Sequence, residues 1–163
     1  MKITRFAQSC ILVEAKNKRI LVDPGDIEYK KSYLEKEWAD IDMLLVTHKH
    51  GDHCYPEVIK EIVKNSKTKF HTTKEVAEAN PELSPEIIKA NDVLDLDGIK
   101  IEVTKAIHGY IPSLKGGKEI RESIGFIIDD GDNRIYDTGI PFVLKMNTNA
   151  MSYLFPLSIT ALL

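Results

Sequence analysis

The chain has 163 residues, of which 43% are hydrophobic and 29% are charged, with a formal net charge of -3 at pH 7. This length can bury a hydrophobic core, and we expect residues 1–163 to form one domain. The charge gives no basic surplus for binding nucleic acid or a membrane surface, so we expect neither partner. Two cysteines form no disulfide framework, which favours the reducing cytoplasm.

The amino-terminal half alternates predicted strands with predicted helices. A helix beginning at Pro56 has its apolar side chains on one face and proline in its first turn, where proline is favoured. Capping-box spacing from Thr72 to Glu75 predicts a second helix, and Ser84 is the predicted N-cap of a third in SPEIIKA. The predicted strands are KITRFAQ, SCILVEA, KRILVDP, IDMLLVT and TKFH, and SYLEKEWA is a predicted short helix.

The carboxyl-terminal half returns to strands. Asp97-Gly98 between DVLDL and IKIEVTKAI is a strong hairpin signal, and DGDN separates the strands SIGFIID and RIYDT. IPFVLKMN is predicted as one or two helical turns, and SYLFPLSI as a last buried strand. This order of elements predicts two packed β-sheets with helices outside them, an α+β fold.

One short segment concentrates residues that bind metals. VTHKHGDHC, Val46 to Cys54, holds three of the five histidines directly after a buried strand. His48 and His50 can turn toward one point, and Asp52 and His53 toward a second point nearby. Imidazole and carboxylate are ligands for zinc and similar divalent metals. The alternative is a solvated polar loop, but the pattern His-x-His-x-Asp-His favours a metal site.

The motif THKHGDH resembles the signature of the metallo-β-lactamase superfamily. The surrounding sequence is most similar to a small microbial branch of metal-dependent hydrolases, akin to ascorbate-phosphate lactonases. The supporting segments SCILVE, RILVDP, AIHG and IYDTG occur in the family order. The resemblance implies an αββα sandwich of two mixed sheets flanked by helices, with the metals at one edge between the sheets.

The resemblance also implies a role for individual residues. By this resemblance His48, His50 and His108 hold a first metal, Asp52 and His53 hold a second, Asp137 bridges the two, and Asp23 orients a ligand from behind. Taken singly, His108 would be a surface histidine, and Asp137 and Asp23 would be turn residues. His71 belongs to no motif and is expected to be a structural or a surface histidine. Cys54 is expected to be a buried apolar residue, with an oxidisable thiol near the metal as the alternative.

The resemblance breaks at the carboxyl terminus. The family normally continues with a helix and a last strand that carries one more histidine ligand. Here no histidine follows His108, and the apolar end SITALL would be poorly covered. The chain is then a truncated form of a longer protein, is covered by another subunit, or is a natural short form with one firm metal site. We expect truncation, because the resemblance ends in mid-fold.

The implied activity is hydrolysis of a small ester, lactone or phosphoester by a metal-bound hydroxide, with Asp52 steering the water and moving its proton. The expected cofactor is one or two divalent ions, zinc first, with manganese, iron or nickel as alternatives. Lys115, Lys118 and Arg121 would lie at the rim of the site beside His108 and bind an anionic small molecule. The alternative for these three residues is a solvated loop.

Two other functions remain open from the sequence. A nuclease-like phosphodiesterase would share the metal site, but the acidic balance of the chain argues against it. A catalytically silent metal-binding protein is the other alternative, because the expected last ligand of the second metal is missing. A homo-oligomer that covers the carboxyl-terminal edge is the expected form of association.

Overall fold

A computed structural model describes residues 1–6, 9–26, 29–65, 67–107 and 122–139, together with the backbone of two later strands. The helices are α1 (Ser32–Glu35), α2 (Pro56–Val63) and α3 (Lys74–Ala79), and a 3₁₀ turn spans Pro81–Leu83. The strands are β1 (Lys2–Arg5), β2 (Ile11–Ala15), β3 (Lys18–Val22), β4 (Met43–Val46), β5 (Lys69–Thr72), β6 (Glu86–Ile87), β7 (Val93–Leu96), β8 (Ile99–Lys105), β9 (Ile124–Asp129), β10 (Arg134–Asp137), β11 (Val143–Met146) and β12 (Met151–Tyr153). None of the helices in these ranges has the length and apolarity that crossing a membrane requires.

The strands form two six-stranded sheets, each in chain order. In the first sheet β1, β2 and β3 are antiparallel, and β3 to β6 are parallel. In the second sheet every pair from β7 to β12 is antiparallel. The expected sandwich is therefore confirmed, and the first sheet is mixed as expected. The expectation of a mixed second sheet is wrong for its described strands, because each of them pairs antiparallel with the next strand in the chain.

Two apolar cores hold the layers together. The first core lies between the sheets and includes the fully buried side chains of Leu45 in β4 and Ile101 in β8. The second core lies between the first sheet and its helices and includes Leu44 in β4 and Ile59 in α2. Consecutive residues of β4 therefore point into different cores, which explains why this strand is apolar throughout.

The segment SPEIIKA is not a helix, so the prediction of a helix capped by Ser84 is wrong. Ser84 has a left-handed backbone (φ 47°, ψ 50°) and ends the 3₁₀ turn. Glu86 and Ile87 then form β6, which pairs with the carboxyl end of β5. Pairing supplies backbone hydrogen bonds to the edge of the sheet and buries Ile88 in the core between the sheets. These tertiary contacts outweigh the local preference of the segment for a helix.

Four other expectations concern a turn, a helix cap and the last two strands. Asp97 and Gly98 have positive φ angles (49° and 83°), which is typical of a two-residue hairpin turn and confirms the hairpin. Helix α3 is capped by Thr73 and not by Thr72, because Thr72 is still paired in β5. IPFVLKMN contains β11 instead of helical turns, because its backbone pairs with β10. In SYLFPLSI the strand ends at Tyr153, and the rest lies outside the described residues.

The core between the sheets predicts a large difference between two isoleucines near β8. Ile101 is fully buried, whereas Ile107 is 85% exposed. We expect Ile101→Ala to lower the free energy of unfolding by about 2–5 kcal/mol, because it leaves a cavity in the core. The matched change Ile107→Ala should cost less than about 0.5 kcal/mol. Urea unfolding of both variants measures this difference, and equal losses would contradict the assigned core.

Candidate metal centre

The predicted metal motif lies at the carboxyl end of β4. We call residues 47–54 the histidine loop. The backbone N–H groups of His53 and Cys54 both donate to the carbonyl oxygen of His50, at 2.9 and 2.7 Å, so the loop folds back on itself. Asp23 follows the adjacent parallel strand β3, and Asp137 ends β10 in the opposite sheet. The strand ends of both sheets thus bring their polar residues to one edge of the sandwich.

The carboxylate of Asp23 fastens the histidine loop to β3. Its Oδ1 accepts the backbone N–H of Thr47 at 2.8 Å, and its Oδ2 accepts the Thr47 hydroxyl at 2.7 Å. The same Oδ2 lies 2.7 Å from Nδ1 of His53, which donates to it. Asp23 is completely buried and has a positive φ of 50°. This unusual backbone for a non-glycine residue aims the carboxylate into the loop.

These contacts determine which ring nitrogens carry protons. The Thr47 hydroxyl uses its only hydrogen on Asp23, so its oxygen accepts from Nδ1 of His48, 3.0 Å away. Nδ1 of His53 likewise carries a hydrogen, because a carboxylate can only accept. Nε2 is then the ring nitrogen that carries the lone pair when either imidazole is neutral. Histidine ligands are commonly oriented in this way, with Nδ1 hydrogen-bonded and Nε2 on the metal.

Three imidazoles and one carboxylate cluster in the loop. The ring centres of His48 and His53 are 4.0 Å apart, and those of His48 and His50 are 5.1 Å apart. Oδ2 of Asp52 lies 3.6 Å from Nε2 of His53. His48 and His53 are buried, whereas Asp52 keeps 36% of its side chain exposed. The loop therefore presents buried nitrogen donors beside one carboxylate that reaches water.

The carboxyl group of Asp137 is almost completely buried beside this cluster. Its Oδ1 accepts the N–H of Gly139 at 3.1 Å, and its Oδ2 accepts no hydrogen bond from the described residues. Burial and then the negative charge of Asp23 raise the pKa of Asp137 to about 8, against the opposing effects of the Gly139 hydrogen bond and His53. Without a nearby cation this carboxyl therefore keeps its proton at neutral pH.

The pKa of His53 moves upward for a different reason. Burial alone would lower it, because a buried imidazolium loses its hydration. The charge and hydrogen bond of Asp23, with smaller effects from Asp52 and Asp137, outweigh burial and raise the pKa. Metal binding must then displace protons from this cluster, as it does wherever ligands are protonated beforehand.

The donor set fits a divalent cation. Imidazole nitrogen and carboxylate oxygen suit zinc, manganese, iron and nickel, and a cation would give the buried Oδ2 of Asp137 a partner. Over the described ranges, no three His, Cys, Asp or Glu side chains already form a group that could hold an ion. His108 lies outside those ranges, as do Lys115, Lys118 and Arg121. The ligand roles of His48, His50, Asp52, His53, His108 and Asp137 therefore stay predictions.

Three residues that hold the site were missed in the sequence. Thr47 links Asp23 to both buried histidines, Ser9 places its hydroxyl 3.4 Å from Nε2 of His53, and Gly25 lies under the histidine loop. Asp23-Pro24-Gly25 is a turn-forming sequence, whereas Gly51 lies inside the motif THKHGDH, where a glycine also suggests a sharp turn. Gly51 does not have a positive φ, and the close backbone approach occurs at Gly25. Thr47 and Ser9 begin the segments THKHGDH and SCILVE, but the sequence does not indicate the contacts that they make.

Cys54 and His71 behave as the sequence predicts. Cys54 is 3% exposed, and burial, followed by the charge of Asp23, raises the pKa of its thiol to about 12. It therefore acts as a small apolar residue of the core between sheet and helices. His71 is buried in β5 with Nδ1 3.5 Å from Glu86, and burial lowers its pKa, against the charge of Glu86. Its position in the strand is consistent with a structural role.

The beta-lactamase superfamily domain matches residues 2–143, which include the histidine loop and Asp137. The chain belongs to the beta-lactamase superfamily. The resemblance to the metallo-β-lactamase members, inferred from the histidine loop and the strand ends, is thereby confirmed. The narrower resemblance to ascorbate-phosphate lactonases stays a prediction.

Individual proteins are similar to this chain in sequence or in structure. The chain is 31% identical over 141 residues to a UPF0173 metal-dependent hydrolase of Thermoplasma acidophilum, covering 85% of this chain and 60% of that protein. A metallo hydrolase of Ignicoccus hospitalis is similar in structure, with a TM-score of 0.60, 23% identity and coverage of 84% of this chain and 59% of that one. A metallo-beta-lactamase fold protein of Bacillus subtilis also has a TM-score of 0.60, with 17% identity and coverage of 82% and 54%. The chain thus spans 60% of the first of these relatives.

We expect the metal affinity of this protein to depend on Gly25 more than on Gly51. A Cβ at Gly25 would lie 2.0 Å from the carbonyl oxygen of Asp52, so Gly25→Ala must displace the loop backbone. A Cβ at Gly51 would meet only the side chain of Asp26, no closer than 3.2 Å. We expect Gly25→Ala to weaken zinc binding about tenfold or more, as loss of ligand support does, and Gly51→Ala much less. Competition with a zinc indicator measures this, and equal effects would contradict the contact.

The buried carboxyl of Asp137 should make the metal-free protein less stable as pH rises. Its folded-state pKa of about 8 lies above the ordinary value of 3.8, so its contribution is full below pH 4 and is lost by about pH 8. The raised pKa of His53 acts in the same direction above pH 6.5. We expect Asp137→Asn to remove much of this decline, and the exposed-site control Asp132→Asn to keep it. Urea unfolding at pH 5 and pH 8 measures it, and stability that rises with pH would refute it.

Proposed function

We propose that this protein is a metal-dependent hydrolase of a small ester, lactone or phosphoester. The observation that carries the proposal is the pair of buried imidazoles, His48 and His53, whose Nδ1 atoms face Thr47 and Asp23 beside the buried carboxyl of Asp137. Such an arrangement is costly to maintain in a core unless it serves a bound cation. The name of the Thermoplasma acidophilum relative, a metal-dependent hydrolase, supports the same activity.

In this proposal His48, His50 and His108 would hold a first divalent ion, Asp52 and His53 would hold a second, and Asp137 would be a ligand of both. When bound, a divalent cation lowers the pKa of water and polarises the carbonyl or phosphoryl group of the substrate. Zinc is the proposed ion, and manganese, iron or nickel would suit the same donors. We also propose a cytoplasmic location, which is compatible with the two free cysteines, Cys10 and Cys54.

Asp52 is the proposed catalytic residue because it combines closeness with access to water. Its carboxylate is partly exposed and lies 3.6 Å from the imidazole of His53. A carboxylate in that position can orient a water molecule and accept its proton. Asp23 cannot take this role, because Thr47 and His53 occupy both of its oxygens. Asp23 and Thr47 instead keep the imidazoles of the histidine loop in a fixed orientation.

Metal dependence and the loss of activity on mutation test this function. We expect protein purified without added metal or chelator to contain one or two divalent ions per chain by elemental analysis. It should hydrolyse a member of a panel of small esters, lactones and phosphodiesters, and a chelator should abolish that turnover. His50→Ala should lower turnover about 100-fold or more, because it removes a proposed ligand.

His71→Gln is the matched control, because it removes a histidine outside the cluster. It should keep most of the turnover if the variant remains folded by circular dichroism. Metal binding without any turnover would identify a silent metal-binding protein and overturn the proposal. A preference for nucleic acid with steep salt dependence would identify a nuclease-like phosphodiesterase instead.

A further inference from the structure

A second concave feature opens beside the candidate metal centre. It is a cavity of about 410 Å³ whose floor includes Ile87, Ile88 and Ile124, and we call it the isoleucine groove. Strands β4, β5 and β6 are parallel, so the histidine loop after β4 and the groove wall after β6 lie at the same edge of the sheet. Ligands of parallel sheets bind at this carboxyl edge.

Two contacts connect the groove to the histidine loop. The backbone N–H of Ile124, which lines the groove, donates to the carbonyl oxygen of Thr47 at 3.3 Å. Lys49 forms an ion pair of 2.6 Å with Glu75, the neighbour in sequence of the groove residue Lys74. A molecule in the groove would therefore contact Ile124, whose backbone is hydrogen-bonded to the residue before His48.

The groove is apolar at its floor. Ile88 and Ile124 are 6% and 4% exposed and belong to the core between the sheets. Ile87 is 58% exposed although it is a large apolar side chain, and it also lines the groove. An exposed isoleucine that continues a buried apolar surface marks a place where an apolar group can be sheltered from water.

The rim of the groove is positively charged. Lys74, Lys89 and Lys105 line it, and all three are exposed. Among the residues that the structure describes, Lys89 and Lys105 form no ion pair, and Lys74 pairs with the exposed Glu78 at 3.5 Å. Glu122 also lines the groove, but its Oε2 accepts the backbone N–H of Glu75. The lysines on the rim therefore favour an anionic ligand.

We propose that the isoleucine groove binds a small aliphatic carboxylate, with its chain on the isoleucines and its carboxylate among the lysines. The volume falls within the range of small-molecule sites and is too small for a folded partner. The groove would also hold the acyl chain of the substrate. The enzyme would then act on acyl compounds whose chain carries a free carboxylate in addition to the carbonyl group that is hydrolysed. This assignment of the substrate rests on the proposed hydrolase function, whereas the binding site itself does not.

Titration with octanoate tests the binding site directly. Octanoate has the chain and the carboxylate, acetate lacks the chain, and octylammonium carries the opposite charge. We expect saturable binding of octanoate that shifts the isoleucine methyl signals of Ile87, Ile88 and Ile124 in NMR spectra. Acetate and octylammonium should each bind at least about tenfold more weakly than octanoate. Equal binding of octylammonium, or no saturable binding of octanoate, would overturn the proposal.

Variants separate charge from apolar contact. The double variant Lys89→Glu with Lys105→Glu should weaken octanoate binding about tenfold or more. Lys60→Glu is the matched control, because Lys60 is an exposed lysine of α2 outside the groove, and it should bind like the wild type. Ile87→Ser should also weaken binding, and its exposed position leaves the fold intact. Equal affinity in the double variant and the Lys60 control would refute the role of the rim.

The outcome for the groove is independent of the outcome for hydrolysis. His50→Ala should bind octanoate normally even when turnover is lost. Octanoate binding with no turnover of any ester would keep the groove and reject the proposed function. Turnover of simple esters without octanoate binding would reject the groove and keep the function. If both hold, esters with an ω-carboxylate on the acyl chain should have a higher kcat/KM than neutral esters of equal length, and the double variant should lose that preference.

Discussion

The buried carboxylate of Asp23 holds the candidate metal centre together. Its two oxygens accept from the Thr47 backbone, the Thr47 hydroxyl and His53 Nδ1, so one side chain positions the start of the histidine loop and one of its imidazoles. A charge at this depth is unfavourable unless hydrogen-bond donors or a nearby cation offset the loss of water. Here the partners are supplied by the loop itself, so the loop and the carboxylate stabilise each other.

This dependence extends into both sheets. Asp23 stands at the end of β3, and its backbone N–H continues the pairing with β4 by donating to Leu45 at 3.0 Å. The apolar residues of β4 lie in two different cores, which holds the strand and therefore the loop at a fixed height. Asp137 reaches the same edge from the second sheet, where burial beside Asp23 raises its pKa. The sandwich thus brings together carboxyl groups that would repel each other without a proton or a cation between them.

The isoleucine groove belongs to the same edge but follows a different physical principle. The metal centre concentrates buried polar groups, whereas the groove combines an apolar floor with exposed cations. The groove exists because SPEIIKA forms the edge strand β6 and leaves Ile87 uncovered. A helix at that position, as the local sequence favours, would have placed these isoleucines differently. The formation of strand β6 in place of a helix therefore also creates the isoleucine groove.

The sequence by itself determined the sandwich, the order of most strands and the identity of the clustered ligand-type residues. Strand patterns, the Asp97-Gly98 turn and the motif THKHGDH are local, so they can be recognised without knowing what packs against them. Only the tertiary structure decided the two segments at β6 and β11, because backbone pairing with the preceding strand of the sheet outweighed their local helix signals. It also decided the roles of Thr47, Ser9 and Gly25, since these depend on hydrogen bonds and close approaches between residues far apart in the chain.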